Sequence, residues 1–102
     1  MKITTKQLQG VAIMSLNGNL TIGNGVILRD ETRDLLDHGE KKIVANLDQV
    51  SIMDSSGLSE LVRSKTTSDT QGAKFKLCNL QPAVREVLEA VNLISVFEVY
   101  DT

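Results

Sequence analysis

Residue types that could do chemistry concentrate in one short segment, Asp54-Ser55-Ser56-Gly57-Leu58. The segment follows an apolar strand pattern and precedes a helical one, so its two hydroxyl groups are expected at a helix N-terminus. The first N–H groups of a helix lack intrahelical partners and the helix dipole is positive there, so this end favours a negative charge. A serine in this place can cap the helix, bind an anion or carry a phosphate group.

Helix capping is the simplest interpretation of this segment. Aspartate and serine are favoured N-cap residues, worth about 1 kcal/mol when one is present, and Gly57 would let the backbone turn tightly. Three capping-type residues in succession nevertheless exceed what one helix start requires. The segment alone still favours capping, so its context in the chain has to decide.

Catalysis by either serine lacks the necessary partners. A nucleophilic serine needs a base, usually a histidine that is oriented by a carboxylate. His38 is the only histidine, and its place just before Gly39 is typical of a residue that complements a helix C-terminus. Asp54 stands where the Gly-x-Ser-x-Gly elbow around Ser56 would require glycine, and the acidic residues between positions 30 and 40 follow the polar side of a predicted helix. We expect no enzyme, no metal site and no cofactor.

Three other features have simple structural interpretations. Gly23-Asn24-Gly25 could cradle a phosphate, but it lacks the Lys-Ser/Thr of a P-loop and the spacing of a dinucleotide site. A flexible loop before the first helix explains it better, although a nucleotide sensor that uses this loop and Ser56 stays open as an alternative. The single cysteine, Cys78, excludes an intramolecular disulfide and is expected to be a structural thiol. Phe97 and Tyr100 are expected to be packing residues.

Composition limits the class of protein. The 102 residues, with 41% apolar and 24% charged side chains, fit one globular domain with a modest core. A net charge of −2 and only three aromatic residues argue against nucleic-acid binding, which needs clustered cations and stacking surfaces. No apolar run approaches the roughly 20 residues of a membrane span, and the N-terminus does not have the pattern of a signal peptide. We expect a cytoplasmic domain with neither nucleic acid nor membrane as a direct partner.

The hydrophobic pattern predicts five strands and three helices. Alternating apolar residues predict strands at residues 3–8, 11–16, 43–47, 74–78 and 96–100. Gln9-Gly10 suits the turn of a hairpin between the first two strands, and the later strand–helix alternation implies parallel pairing through right-handed crossovers. In the strand at 74–78, Phe75 and Leu77 share one face and Cys78 lies with two lysines on the other. We expect an α/β fold: a mixed sheet of about five strands with an N-terminal hairpin, parallel βα units, and helices mainly on one face.

Each predicted helix has an apolar face and a start or stop signal. The first follows a loop at residues 18–25 and stops at Gly39, the second stops at Gly72, and Pro82 begins the third. The second becomes polar from Arg63 to Gln71. The apolar positions of the three helices are, in order, Leu28, Thr32, Leu35 and Leu36; Leu58, Leu61 and Val62; Val84, Val87, Leu88 and Val91.

The strand at 43–47, the step Val50-Ser51-Ile52-Met53 and the segment Asp54 to Leu58 together resemble the signature of STAS domains. The chain is most similar to the bacterial anti-sigma factor antagonists of that family. Weaker matches of a turn, a strand and a helix flank the signature at Gly18-Asn19-Leu20, at Gly72 with Lys74 to Leu80, and at Pro82 to Leu93. The resemblance covers nearly the whole chain and implies a single STAS domain at residues 1–102.

The resemblance implies a phosphoswitch. In the family, the second serine of the motif, here Ser56, is phosphorylated by a partner that is both anti-sigma factor and ATP-dependent serine kinase. The unphosphorylated antagonist binds that kinase and frees the sigma factor, and a metal-dependent phosphatase of the PP2C type removes the phosphate. Ser56 would then be the phosphoacceptor, with Asp54, Ser55 and Gly57 shaping its loop.

The predicted partner-binding residues are Thr21, Ser59 and Arg63. The resemblance implies the segment of Thr21, whereas Ser59 and Arg63 are expected to contact the partner because they lie on the polar second helix next to Ser56. Thr21 stands in a segment where the family often has an acidic residue, and Ser59 stands where a small residue, often glycine, is usual. The expected function is that of an anti-sigma factor antagonist that phosphorylation switches off by partner switching. The alternative is an accessory STAS subunit of a transport or signalling complex without phosphoregulation.

Overall fold

The computed structural model describes residues 1–97 and 99–100. Five strands and three helices follow one another along the chain. They are β1 (Lys2–Leu8), β2 (Val11–Asn17), α1 (Gly25–Asp37), β3 (Lys42–Gln49), α2 (Ser55–Thr70), β4 (Lys74–Cys78), α3 (Pro82–Ala90) and β5 (Val99–Tyr100). None of the helices in these residues has both the length and the apolar character needed to cross a membrane.

The strands form one mixed sheet in the order β1-β2-β3-β4-β5. β1 and β2 are antiparallel, with Leu8 opposite Val11, and the later pairs are parallel. Gln9 and Gly10 both have positive φ, of 52° and 81°, as a two-residue hairpin turn requires. The predicted α/β fold, with its hairpin and parallel βα units, is confirmed.

The core lies on one face of the sheet, beneath the helices. Met14, Ala45 and Leu77 are buried at paired positions of β2, β3 and β4, and each helix contributes leucine side chains that are fully buried. These helical leucines are Leu28, Leu61 and Leu88. The residues between the buried positions of each strand are at least partly exposed along most of the sheet. The alternation of buried and exposed strand residues therefore matches a sheet whose helices cover one face, as predicted.

The first two helices differ in detail from the sequence prediction. Gly25 is the first residue of α1 rather than part of the preceding loop, and Leu35 is only partly buried, because the inward positions of α1 are taken by Leu28, Thr32 and Leu36. In α2 the polar stretch after Val62 is not all surface. Ser64 and Ser68 are buried beside the core, because they continue the inward face one and two turns beyond Leu61.

Three further corrections concern the C-terminal third of the chain. Cys78 is buried rather than exposed with the lysines. Val91 is exposed, because α3 ends at Ala90 and Val91 caps it. The final strand begins at Val99 rather than Val96, because Val96 closes a turn in which its N–H donates to the Leu93 carbonyl. Phe97 is buried as predicted, whereas the environment predicted for the Tyr100 side chain lies outside the described residues.

Candidate functional site

The Asp54 segment lies at the carboxyl ends of β2 and β3. After β2, the chain continues alongside β3, with the Leu20 N–H donating to the Ile52 carbonyl at 2.9 Å and the Asp54 N–H donating to the Leu20 carbonyl at 3.0 Å. α2 then begins at Ser55. The carboxyl edge of parallel strands is where α/β proteins usually place their binding residues.

Asp54 holds the start of α2 and the loop after β2 together. Its backbone is extended, and as the N-cap residue its Oδ1 accepts a hydrogen bond from the Gly57 N–H at 2.8 Å. Its Oδ2 accepts another from the Ile22 N–H at 3.1 Å. These N–H groups, that of Gly57 above all, hold the pKa of the Asp54 carboxyl below its ordinary value. Asp54 is thus an ionised residue that shapes the site.

Gly57 is required by a close approach rather than by the tight turn that the sequence indicated. Its φ lies outside the left-handed region. A Cβ atom on Gly57 would lie 1.9 Å from the carbonyl oxygen of Leu20 and 2.4 Å from its carbon. The loop after β2 therefore crosses directly over the first turn of α2, and only glycine leaves room for it.

The two serines of the motif occupy different environments. Ser55 is exposed, whereas Ser56 is half-buried and lines a cavity of about 340 Å³ beside the N-terminal halves of α1 and α2. The Ser56 hydroxyl has no hydrogen-bond partner among the residues that the structure describes. It is therefore accessible and chemically uncommitted, while the backbone around it is held by Asp54 and Gly57.

The predicted partner-binding residues Thr21, Ser59 and Arg63 line the same cavity as Ser56. The structure thus brings all three together with the predicted phosphoacceptor. Two exposed isoleucines adjoin the site: Ile22, 79% exposed, donates its N–H to Asp54, and Ile52, 54% exposed, precedes Asp54 by two residues. The sequence gives no signal for either, because a single exposed isoleucine is common on protein surfaces and only the fold brings these two beside Asp54.

Three charged side chains form a cluster on the wall of this cavity, which we name the cavity triad: Arg29 from α1, and Glu60 and Arg63 from α2. Arg29 Nη1 lies 3.2 Å from Glu60 Oε2, and Arg63 Nε lies 3.7 Å from Glu60 Oε1. Glu60 packs over Gly25, whose absent Cβ leaves room for the Glu60 stem. The sequence analysis missed Arg29 and Glu60, because nothing local shows that these two residues meet.

The glycine loop before α1 does not form the phosphate cradle that the nucleotide alternative requires. The N–H groups of Asn24 and Gly25 both donate to the Thr21 carbonyl, at 2.9 and 3.1 Å. The Ile22 N–H is engaged by Asp54. Because these donors are satisfied, they are not available to a phosphate.

No group of three or more metal-binding side chains occurs within residues 1–97 and 99–100.

His38 lies far from Ser56. It caps the C-terminus of α1, and its Nδ1 lies 2.8 Å from the Asp34 carbonyl. That hydrogen bond, followed by the charge of Asp34, raises the pKa of His38. Since α1 has 13 residues and is about 20 Å long, its other end holds the cavity. The only histidine of the chain is therefore not placed to act as a base for Ser56.

Comparison with known proteins decides the family, because the sequence model of the STAS domain matches residues 2–102. The chain belongs to the STAS domain family. BtrV of Bordetella bronchiseptica, provisionally named an anti-sigma factor antagonist, is 34% identical over 100 residues, which cover 97% of this chain and 85% of BtrV.

Solved structures show the same fold. The crystal structure of a Thermotoga maritima protein, also provisionally named an anti-sigma factor antagonist, superposes with a TM-score of 0.90 at 29% identity, covering 98% of this chain and 86% of the other. The phosphorylated form of the Bacillus protein SpoIIAA superposes with a TM-score of 0.75, covering 99% and 92% of the two chains. At 19% identity, SpoIIAA shows likeness of fold alone.

Proposed function

We propose that this single STAS domain, residues 1–102, is an anti-sigma factor antagonist that phosphorylation of Ser56 switches off. The observation that carries the proposal is the uncommitted Ser56 hydroxyl on a braced helix start, facing a cavity that Thr21, Ser59 and Arg63 also line. The similarity to BtrV supports the function. The domain acts in the cytoplasm as a binding module and a kinase substrate, not as an enzyme.

In the unphosphorylated state, the partner is an anti-sigma factor that is also a serine kinase. The surface offered to it combines exposed apolar side chains, Ile22 and Ile52, with polar and cationic ones, Ser59 and Arg63. Such a mixture is typical of interfaces that form and separate repeatedly. Binding of this surface releases the sigma factor from its anti-sigma factor.

Phosphorylation acts through the interface and leaves the fold in place. A phosphate adds about −1.5 to −2 charges at pH 7, and the N-terminus of α2 tolerates them because the helix dipole is positive there. The same charge inside the partner interface is costly to desolvate. The antagonist therefore leaves the kinase, and a PP2C-type phosphatase restores the binding form.

Phosphate mapping tests this proposal. The wild-type chain, Ser56→Ala and the matched control Ser55→Ala are each incubated with ATP and each anti-sigma serine kinase of the host, and phosphate is located by mass spectrometry. We expect one phosphate on Ser56 in the wild-type chain and in Ser55→Ala, and none in Ser56→Ala. Labelling of Ser55 or Ser59 instead, or no labelling by any active kinase, would refute the proposed acceptor.

A binding experiment separates this function from that of an accessory STAS subunit. Ser56→Asp should weaken binding to the kinase while circular dichroism stays native-like, because the added charge lies on the partner surface. An accessory subunit would bind its transport or signalling complex equally well with serine, alanine or aspartate at position 56. Equal binding of all three variants would favour that second role.

A further inference from the structure

The cavity triad lies within reach of the proposed phosphoserine. Glu60 and Arg63 follow Ser56 by four and seven residues, which places all three on one face of α2. Residues four apart on a helix have Cβ atoms about 5–6 Å apart, and helical side chains lean toward the N-terminus, here toward Ser56. Arg29 reaches the same place from α1, because its guanidinium already touches Glu60.

The ion pairs of the triad are loose enough for the arginines to leave Glu60 for another anion. Glu60 is the shared acceptor, with its side chain only 14% exposed, whereas Arg63 is 66% exposed and held at 3.7 Å. Asp30 also lies 3.9 Å from Arg29 Nε, but it is exposed and its attraction is screened by water. A phosphate dianion with three acceptor oxygens binds guanidinium groups more strongly than a single carboxylate does.

The geometry points to an exchange of partners: a phosphate on Ser56 draws Arg63 and Arg29 away from Glu60 and binds them within the cavity. This inference rests on the proposed function, since it requires a phosphate at that residue. The triad carries two positive charges and one negative charge, and a phosphate of about −2 turns its net charge from +1 to about −1. Phosphorylation would thus also withdraw Arg63, a proposed partner contact, from the kinase.

A phosphate titration tests the exchange without any kinase. Phosphoserine is incorporated at position 56 during translation, and its second ionisation is followed against pH by ³¹P NMR. We expect a pKa below the ordinary value of about 6. Removing a cation about 4 Å away in water should raise that pKa by about 0.7 pH units, so Arg63→Ala should show a rise of this order.

Arg33→Ala is the matched control, because Arg33 lies on α1 one turn beyond Arg29, is exposed, and lines only the adjoining cavity that Arg29 and Arg63 share, not the cavity that holds Ser56. It removes the same charge and should raise the pKa of the phosphoserine by less than Arg63→Ala does, because Arg33 is exposed and its charge is screened by solvent. Glu60→Gln should lower the pKa, because it removes both the repulsion and the competitor for the arginines. Circular dichroism checks that each variant is folded.

Equal effects of Arg63→Ala and Arg33→Ala, or an unchanged or raised pKa in Glu60→Gln, would overturn the exchange. These outcomes are distinct from a failure of the proposed function. If the kinases leave Ser56 unmodified, the mapping experiment fails, while the titration of installed phosphoserine still reports whether the triad binds the phosphate.

Discussion

Replacing Gly57 by alanine should destabilise the domain more than any ordinary surface substitution. The new Cβ would lie 1.9 Å from the Leu20 carbonyl oxygen, whereas ordinary contact begins near 3.4 Å, so the two groups must separate by about 1.5 Å. Such overpacking costs about 1–3 kcal/mol, and loss of the Asp54 N–H···Leu20 O bond adds about 1 kcal/mol. The higher helix propensity of alanine than of glycine offsets up to about 1 kcal/mol of this loss.

The expected net loss is about 1–4 kcal/mol of unfolding free energy, with a fall in Tm of roughly 4–8 °C for each kcal/mol in a domain of this size. Urea and thermal unfolding followed by circular dichroism measure it. Because the displaced loop carries Asp54 out of place, we also expect slower phosphorylation of Ser56.

Gly25→Ala is the matched control, since Gly25 is also a buried helical glycine close to the site. Its Cβ would lie 2.8 Å from Glu60 Cγ, 3.1 Å from Glu60 Cβ and 3.5 Å from Gly57 Cα. Its two tight contacts are therefore with one flexible side chain, which can shift, and not with backbone. We expect a cost below about 1 kcal/mol, because the helix propensity of alanine offsets part of the displacement. An unfolding free energy of Gly57→Ala within about 0.5 kcal/mol of the wild type, or equal to that of Gly25→Ala, would show that the loop can yield and that Gly57 is not required by a close approach.

Three further predictions concern the core and the titrating groups. The Asp54 carboxylate has a lowered pKa in the folded state, so it contributes stability above its ordinary pKa of about 3.9, and this stability is lost as pH falls through the folded value. In Asp54→Asn, the unfolding free energy should therefore fall less steeply at acidic pH than in the wild type, and an equally steep fall would contradict this. Leu61→Ala should cost about 2–5 kcal/mol in urea unfolding because Leu61 is fully buried, whereas exposed Leu8→Ala should stay within about 0.5 kcal/mol; equal costs would disprove the assigned core. Burial raises the pKa of the Cys78 thiol, so a thiol reagent should label it slowly until urea unfolds the chain, and rapid native labelling would exclude its buried position.

Local patterns in the sequence were sufficient to predict most of the fold. The hairpin at Gln9-Gly10 and the helix stops at Gly39 and Gly72 all have positive φ at the glycine, and a glycine with that conformation ends an element whatever packs around it. The helix start at Asp54 is likewise a local event, because the capping hydrogen bond to Gly57 spans only three residues.

What the sequence could not predict depends on contacts between distant residues. Gly57 is needed because Leu20 crosses it, and the cavity triad exists because Arg29 meets Glu60; each pair is more than thirty residues apart and has no local signature. Ser64 and Ser68 are buried although their polar side chains favour an exposed prediction, because their helical phase follows Leu61. The residues around Ser56 therefore emerge only when the chain is folded.

We propose that the state of Ser56 decides whether the domain binds an anti-sigma factor. A competition assay tests it most directly: labelled sigma factor bound to its anti-sigma kinase is titrated with the unphosphorylated chain or with the chain carrying phosphoserine at position 56. Introducing such a charge into an interface costs about 2–5 kcal/mol, so the phosphorylated form should displace the sigma factor at least about 30 times less effectively. Equal displacement by the two forms would contradict the account.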